Sequence, residues 1–229
     1  MPGKVRHHGA IRAIWGRTGG ARLAPEYRVC GLGMAQTPID LRATILADTG
    51  QLSPDYAPTA ATVLNNGHTI RVLCPTGGGV EIDRTRYRLQ QFHFHHPSEH
   101  LLAGKGFDLE CHLVHASNTG ELAVIALFIR PGEHNPSLAP IWQVMPSIAG
   151  QQVALDQPVD PADLLPQQRG YYRYVGSTTT PPCSEGVVWS VMRMPVEASV
   201  EQIRRFASLF PMNARPVMPV NRRYVLESI

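Results

Sequence analysis

Between Leu89 and His115 the chain carries metal-competent side chains at alternate positions of two apolar segments, a pattern few folds can accommodate. The first segment reads Gln91-Phe92-His93-Phe94-His95 and the second Glu110-Cys111-His112-Leu113-Val114-His115, with Glu99 and His100 between them. Successive side chains of a β-strand point to opposite faces. Read as strands, the first segment sets Gln91, His93 and His95 on one face, with Phe92 and Phe94 turned into a core. The second sets Glu110, His112 and Val114 against Cys111 and Leu113. Antiparallel pairing can then bring His112 beside His93 and His95. Three neutral imidazoles with one open position are the ligand set of a catalytic zinc site. A ligating histidine gives its other ring N–H to an acceptor. Gln91 and Glu110, each two residues before a histidine, lie on the right face to accept it. A lone His-x-His is ordinarily a pair of core or surface histidines; the added acceptors point to a metal.

The chain has 229 residues, enough for one domain with a substantial core. Hydrophobic residues make up 43% and charged residues 17%, so the chain is an ordinary globular one. The net charge of +3 is small and the arginines are scattered, so no nucleic-acid partner is expected. No apolar run approaches the roughly 18 residues of a membrane span. Met1 to His8 is polar with no apolar segment after it, so no leader is read there; His7-His8 reads as tail. Either the protein stays in the cytoplasm or a leader has been removed. Four cysteines allow three pairings. Cys30 and Cys183 sit in Gly- and Pro-rich loops, Cys111 is expected as a buried free thiol on a core face, and Cys74 is open.

Along the chain, residues 1 to 35 are irregular and Ile39 to Leu46 reads as a strand. Ala60 to Leu64 and Thr69 to Leu73 are β-branched runs joined by Asn65-Asn66-Gly67-His68, where Asn and Gly suit a tight turn. Thr76-Gly77-Gly78-Gly79 is a second turn, with no Lys-Ser/Thr to make it a phosphate loop. Leu122 to Ile129 is continuously apolar and reads as a central strand. Short helical pieces are expected in the Pro-rich stretch 131–166, one starting at Asp160-Pro161. Tyr171 to Ser177 and Val187 to Met194 read as strands around the irregular Thr178-Thr179-Thr180-Pro181-Pro182-Cys183. Ser199 to Phe210 is the best helix, with a Ser199/Gln202 capping box and an apolar face of Ile203, Phe206, Ala207 and Phe210.

In order, the pieces Trp15-Gly16, Gln36-Thr37-Pro38-Ile39-Asp40, Asn65-Asn66-Gly67-His68, Gln91 to His95, Ser98-Glu99-His100, Glu110 to His115, Gly176 to Pro182 and Asn213-Ala214-Arg215-Pro216 resemble the α-class carbonic anhydrases. The match runs from about Trp15 to Val225. It implies a single mostly β (α+β) domain from residue 15 to 229 after a tail of 1–14, built on a large, mainly antiparallel twisted central sheet with short peripheral helices. It implies zinc on His93, His95 and His112, with Gln91 and Glu110 supporting them. It implies reversible hydration of carbon dioxide to bicarbonate by a zinc-bound hydroxide. Thr179 and Glu99 would aim that hydroxide, and His68 would shuttle the proton. Val114, Val124, Thr178, Thr180, Val187 and Trp189 match pocket positions, Thr180 being one that contacts the bound anion. Cys30 and Cys183 match the disulfide of exported bacterial members, which implies a periplasmic or secreted protein. Sulfonamide inhibition is expected, in a monomer or homodimer.

Three departures bear on turnover. Thr178 stands where leucine is common, His96 where tryptophan usually follows the second ligand, and Arg17 where a tyrosine helps hold a water chain. Two other readings use the same residues. One is a carbonic-anhydrase-like binding protein without catalysis, which the retention of all three histidines with Thr179 and Glu99 disfavours. The other is a cupin-type metal oxygenase, because His93-x-His95-x-x-x-Glu99 followed by Gly106 fits that family's first motif. Tyr87 occupies the position where that motif wants glycine, and no second motif follows.

Overall fold

The computed structural model describes residues 27–229. Trp15, Arg17 and the expected domain boundary at residue 15 lie outside the described residues. In chain order the elements are α1 (Arg28–Leu32), β1 (Asp40–Leu41), β2 (Ile45–Ala47), β3 (Thr62–Asn65), β4 (Ile70–Leu73), β5 (Gly79–Ile82), β6 (Thr85–His95), β7 (Leu101–Leu102), β8 (Leu109–Ser117), β9 (Leu122–Pro131), α2 (Ala139–Val144), β10 (Gln152–Ala154), a 3-10 turn (Pro161–Leu164), β11 (Tyr171–Ser177), β12 (Glu185–Met192), β13 (Val196–Ala198), α3 (Val200–Leu209) and β14 (Leu226–Ser228). Twelve of the strands form one sheet in the order β10-β3-β4-β6-β8-β9-β12-β11-β14-β2, with β5 on β6 and β13 on β9. β1 and β7 form a separate parallel pair.

The long strands β6, β8 and β9 hold the middle and pair antiparallel. β9 then meets β12 in parallel, so Val188, Trp189, Ser190 and Val191 face Ala123, Val124, Ile125 and Ala126. The sheet is therefore mixed, antiparallel through its long ladders and parallel at β12–β9, β13–β9 and β14–β2.

Side-chain alternation divides this sheet into two apolar faces. Phe92, Phe94, Leu113, Ile125 and Leu127 build one core with Trp142 of α2 and Phe206 of α3. Helix α3 starts at Ser199, whose hydroxyl accepts from the Gln202 amide while the Gln202 side chain returns to the Ser199 amide, completing the capping box. Ile203, Phe206 and Phe210 are buried, and Phe94 packs edge-on to Trp142 with ring centroids 4.7 Å apart. Val124, Ala126, Phe128, Tyr174, Trp189 and Val191 build the opposite core with Ile39 and Leu41. The histidines rise from that second face.

A bulge decides which face the histidines take. In the β6–β8 ladder Leu89 faces His115 and Gln91 faces Val114, so Gln90 is an extra residue. Tyr87 and Leu89 belong to the core face with Phe92 and Phe94. One inserted residue reverses the alternation, and Gln91, His93 and His95 emerge on the other side. Elsewhere the expectations need four corrections. Ile39 to Leu46 is two short strands, because the chain turns at Ala43 with φ 53°. Cys30 lies in α1 rather than in a loop. The strand β5 was not expected; it forms where Gly79 closes against the Tyr87 carbonyl, an approach no side chain could share. The second β-run of 187–194 starts two residues earlier and ends at Met192.

Cys30 and Cys183 form a disulfide, while Cys74 and Cys111 are buried free thiols. The bridge joins residues 153 apart. Closing a loop of that size removes unfolded-state entropy worth, in the chain-entropy model, about 4–5 kcal/mol at most. The Cys30→Ser/Cys183→Ser variant should therefore denature at clearly lower denaturant than the oxidised parent. Equal midpoints for the two would show that the bridge constrains nothing.

Candidate metal centre

Three rows cross the sheet and assemble the site. Arg71 of β4, His93 of β6, His112 of β8 and Ala126 of β9 stand side by side, each opposite the next. One row along lie Leu73, Gln91, Val114, Val124 and Trp189. In the third, His95 faces Glu110, which faces Phe128. The histidines thus come from two hydrogen-bonded strands with no loop between them and the core. Their ring centroids are 5.0 Å (His93–His95), 5.3 Å (His93–His112) and 4.6 Å (His95–His112) apart. One ring nitrogen of each lies within 4.8 Å of the others.

Each ring is held by a different acceptor. His93 Nδ1 donates to Gln91 Oε1 at 3.0 Å, and His112 Nε2 donates to Glu110 Oε1 at 2.7 Å. His95 Nδ1 donates to the backbone carbonyl of Asn213 at 3.2 Å. These acceptors fix the tautomers, leaving the lone pairs on His93 Nε2, His95 Nε2 and His112 Nδ1. His95 Nε2 is buried and has no hydrogen-bond partner. A buried polar atom without a partner is costly, and a cation would satisfy it. Burial first, and then the neighbouring imidazoles, push His93 well below the usual histidine range. Burial also lowers His95. Both are therefore neutral at pH 7, the form that binds metal. The residues fit a metal ion.

Glu110 is the anchor below them. Burial alone would raise its pKa, but His100 and His112 outweigh burial and hold its carboxyl well below the usual range. It accepts from the His100 amide at 2.8 Å and from His100 Nδ1 at 2.6 Å, besides His112. His100, Glu110 and His112 thus also cluster at metal-like distances. There, though, the two ring N–H groups already point at the carboxylate, so no open ligand set remains. The network runs on. His100 Nε2 lies 2.6 Å from the Tyr174 hydroxyl, which donates to Thr37 Oγ1, which in turn accepts from the Ser177 amide. Ser177 leads into Thr178-Thr179-Thr180, so the anchor of one histidine also braces the loop across the cavity.

The cavity above the histidines measures about 420 Å³. Its polar lining includes His68, Thr69, Asn66, Arg71, Gln91, Thr179 and Asn213; its apolar lining includes Val114, Leu122, Val124, Pro181 and Trp189, with Tyr27, Thr178 and Thr180 also present. The apolar lining is the second core surfacing, since Val114, Val124 and Trp189 share one row. His68 is exposed at the rim, its amide donating to Asn66 Oδ1 in the expected turn.

Three expectations change in detail. Val187 is buried in the same core cluster as Trp189 and Val124, and unlike them is not among the residues that line the cavity. Glu99 lies beside the histidines, its Oε1 3.5 Å from His95 Nδ1 and its Oε2 3.9 Å from His112 Nδ1, but it is not one of the groups clustered as ligands, as a cupin glutamate would be. Its Oε1 accepts from the Arg215 amide at 2.8 Å. Nor does Thr179 bond to Glu99 in this structure, where Glu99 Oε2 is buried without a partner. Thr178 lines the cavity but turns its hydroxyl onto the Thr180 carbonyl at 3.1 Å. Sequence reasoning gave no role to Asn213, Arg71, Tyr27 or His100. Asn213 and His100 stood inside recognised motifs, while Arg71 is visible only once β4 is paired with β6.

A family model described as eukaryotic-type carbonic anhydrase matches residues 23–229. A carbonic anhydrase of Nostoc sp. is 44% identical over 213 residues, covering 90% of this chain and 81% of that protein. The α-carbonic anhydrase of Thermovibrio ammonificans, solved with the inhibitor sulfanilamide, superposes with a TM-score of 0.89 at 44% identity, over 92% of this chain and 95% of that one. Dioscorin complexed with ascorbate superposes with a TM-score of 0.86 at 35% identity, over 95% of this chain and 94% of that one. Matched by that family model over residues 23–229 and 44% identical to a curated relative across 90% of its length, the chain belongs to the α-class carbonic anhydrase family.

Proposed function

We infer that this protein is a zinc enzyme that catalyses the reversible hydration of carbon dioxide to bicarbonate and a proton. The observation that carries the metal assignment is the set of three ring nitrogens left free by three separate acceptors. His93 Nε2, His95 Nε2 and His112 Nδ1 would hold zinc. Zinc supplies Lewis-acid charge that makes water reactive near neutral pH, the behaviour for which carbonic anhydrase is the standard example.

The remaining steps belong to the chain. Carbon dioxide has no charge to grip, so the apolar wall of Val114, Val124 and Trp189 receives it beside the histidines. Thr179 positions the attacking oxygen. A hydroxyl has one proton to give; directed to Glu99 Oε2, an acceptor in want of a donor, it leaves Thr179 Oγ1 to accept from the attacking oxygen and hold its lone pair toward the substrate, an orientation effect. Thr180, on the same loop, contacts the bicarbonate. The released proton must then cross the cavity, and His68 at the rim takes it, its type having an unperturbed pKa of about 6.5. The disulfide supports a site of action in an oxidising compartment, a periplasm or outside the cell. A carbonic-anhydrase-like binding protein would show no CO2 hydration; the enzyme shows it, and sulfonamide abolishes it.

Removing one ligand tests the metal set. His95→Ala should lose zinc and activity together, and a variant with full zinc and normal turnover would refute the assignment. Glu110→Gln keeps the shape but weakens the acceptor, and should cost roughly 10–100-fold in zinc affinity.

The shuttle acts after the chemistry on carbon. His68→Ala should therefore lower kcat in dilute, bulky buffer, spare kcat/KM, and recover when imidazole is added. Undiminished kcat at low buffer would mean that protons leave by another route.

A further inference from the structure

Arg71 presents a charge that the hydration reaction, as described, does not use. It stands opposite His93 in the β4–β6 ladder and lines the cavity with His68, Gln91 and His93. Opposed residues on paired strands have Cβ atoms about 5 Å apart, so Arg71 lines the cavity beside the first histidine. Arginine carries five N–H donors and no acceptor. Two other buried arginines spend these donors, although Arg169 Nη1 and Arg173 Nε, like Arg71 Nε, are buried without a partner. Arg215 gives its own to the carbonyls of Thr37 and Cys30 and to Gln36 Oε1, and Arg223 gives its own to the carbonyls of Val220, Val175, Gln36 and Pro219. Among the described residues Arg71 has no carboxylate partner, and its Nε is buried with no acceptor. A buried donor without a partner is costly, and here it borders a cavity that admits solutes. The planar fork of Nε–H and Nη–H matches two oxygens of a planar oxyanion.

We propose that Arg71 forms an oxyanion subsite in the cavity that binds bicarbonate through two of its oxygens. The proposal rests on the hydration reading and deepens it: the uncharged substrate has the apolar wall, and the anionic one has a guanidinium in the same cavity. Gripping the bound anion lowers the KM for bicarbonate and makes the enzyme sensitive to simple planar oxyanions. The reaction equilibrium fixes the ratio of the two kcat/KM values, so the grip shows in KM and in anion inhibition.

Nitrate, which cannot react, is the probe for the zinc-loaded protein. The Arg71 Nε–H resonance, identified as the signal missing from Arg71→Gln, should shift saturably as nitrate is added. Arg71→Gln should weaken nitrate binding and nitrate inhibition roughly tenfold, the worth of one charge-assisted hydrogen bond. It should raise the bicarbonate KM without lowering dehydration kcat, while keeping parental zinc content and melting temperature. Arg71→Lys, which keeps the charge and loses the fork, should fall between the two. An Nε–H signal indifferent to nitrate, with Arg71→Gln inhibited like the parent, would overturn the subsite. If the parent chain itself failed to hydrate CO2, the function would fall, and the Nε–H titration would still decide whether Arg71 binds an oxyanion.

Discussion

The register between β6 and β8 is the constraint on which the site depends. With Gln90 bulged out, His93 meets His112 and Gln91 meets Val114. Slip that ladder by one residue and every side chain changes face. Phe92 and Phe94 would face the cavity, while His93 and His95 would enter a core that already holds Trp142 and Phe206. The burial of Phe92 and Phe94, both 0% exposed, therefore forbids the slip, and the same apolar contacts that stabilise the sheet aim the imidazoles. A fully buried phenylalanine contributes about 1.5–3 kcal/mol by transfer alone.

The second layer of order is polar and fully buried. Glu110 lies at 0% exposure and receives His100 twice and His112 once. An ionised carboxylate at that depth persists only because those donors surround it. From it the chain of hydrogen bonds through Tyr174, Thr37 and Ser177 reaches the threonine loop, and Arg215 ties Glu99 and Thr37 to the segment carrying Cys30. The carboxylate that accepts from His112 thus belongs to the same hydrogen-bonded network that leads into the threonine loop. Positioning of this kind must be built into the fold beforehand.

Much of this was legible in the sequence because it is local. Alternation over Gln91 to His95 and Glu110 to His115 is readable by eye, and so are the Ser199/Gln202 cap and the Asn-rich turn before His68. The Cys30–Cys183 pairing came from family likeness, since the residues left three pairings open. What stayed hidden depends on distant partners or on the backbone. The acceptor for His95 is a carbonyl, and every residue has one, so Asn213 carried no signal for that role. Arg71 reads as an ordinary strand arginine until β4 is set beside β6. Val187 has the right type and the right strand for a pocket wall, and it is buried in the same core cluster as Trp189. The Gln90 bulge has no residue signature at all, and it is what puts Leu89 and Gln91 on opposite faces.

The most direct test is metal analysis of protein purified without added metal, combined with X-ray absorption at the bound metal's edge. The account predicts about one zinc per chain, held by three imidazole nitrogens at about 2.0–2.1 Å with one further light-atom ligand. Iron in place of zinc, or a carboxylate of Glu99 in the coordination sphere, would contradict it.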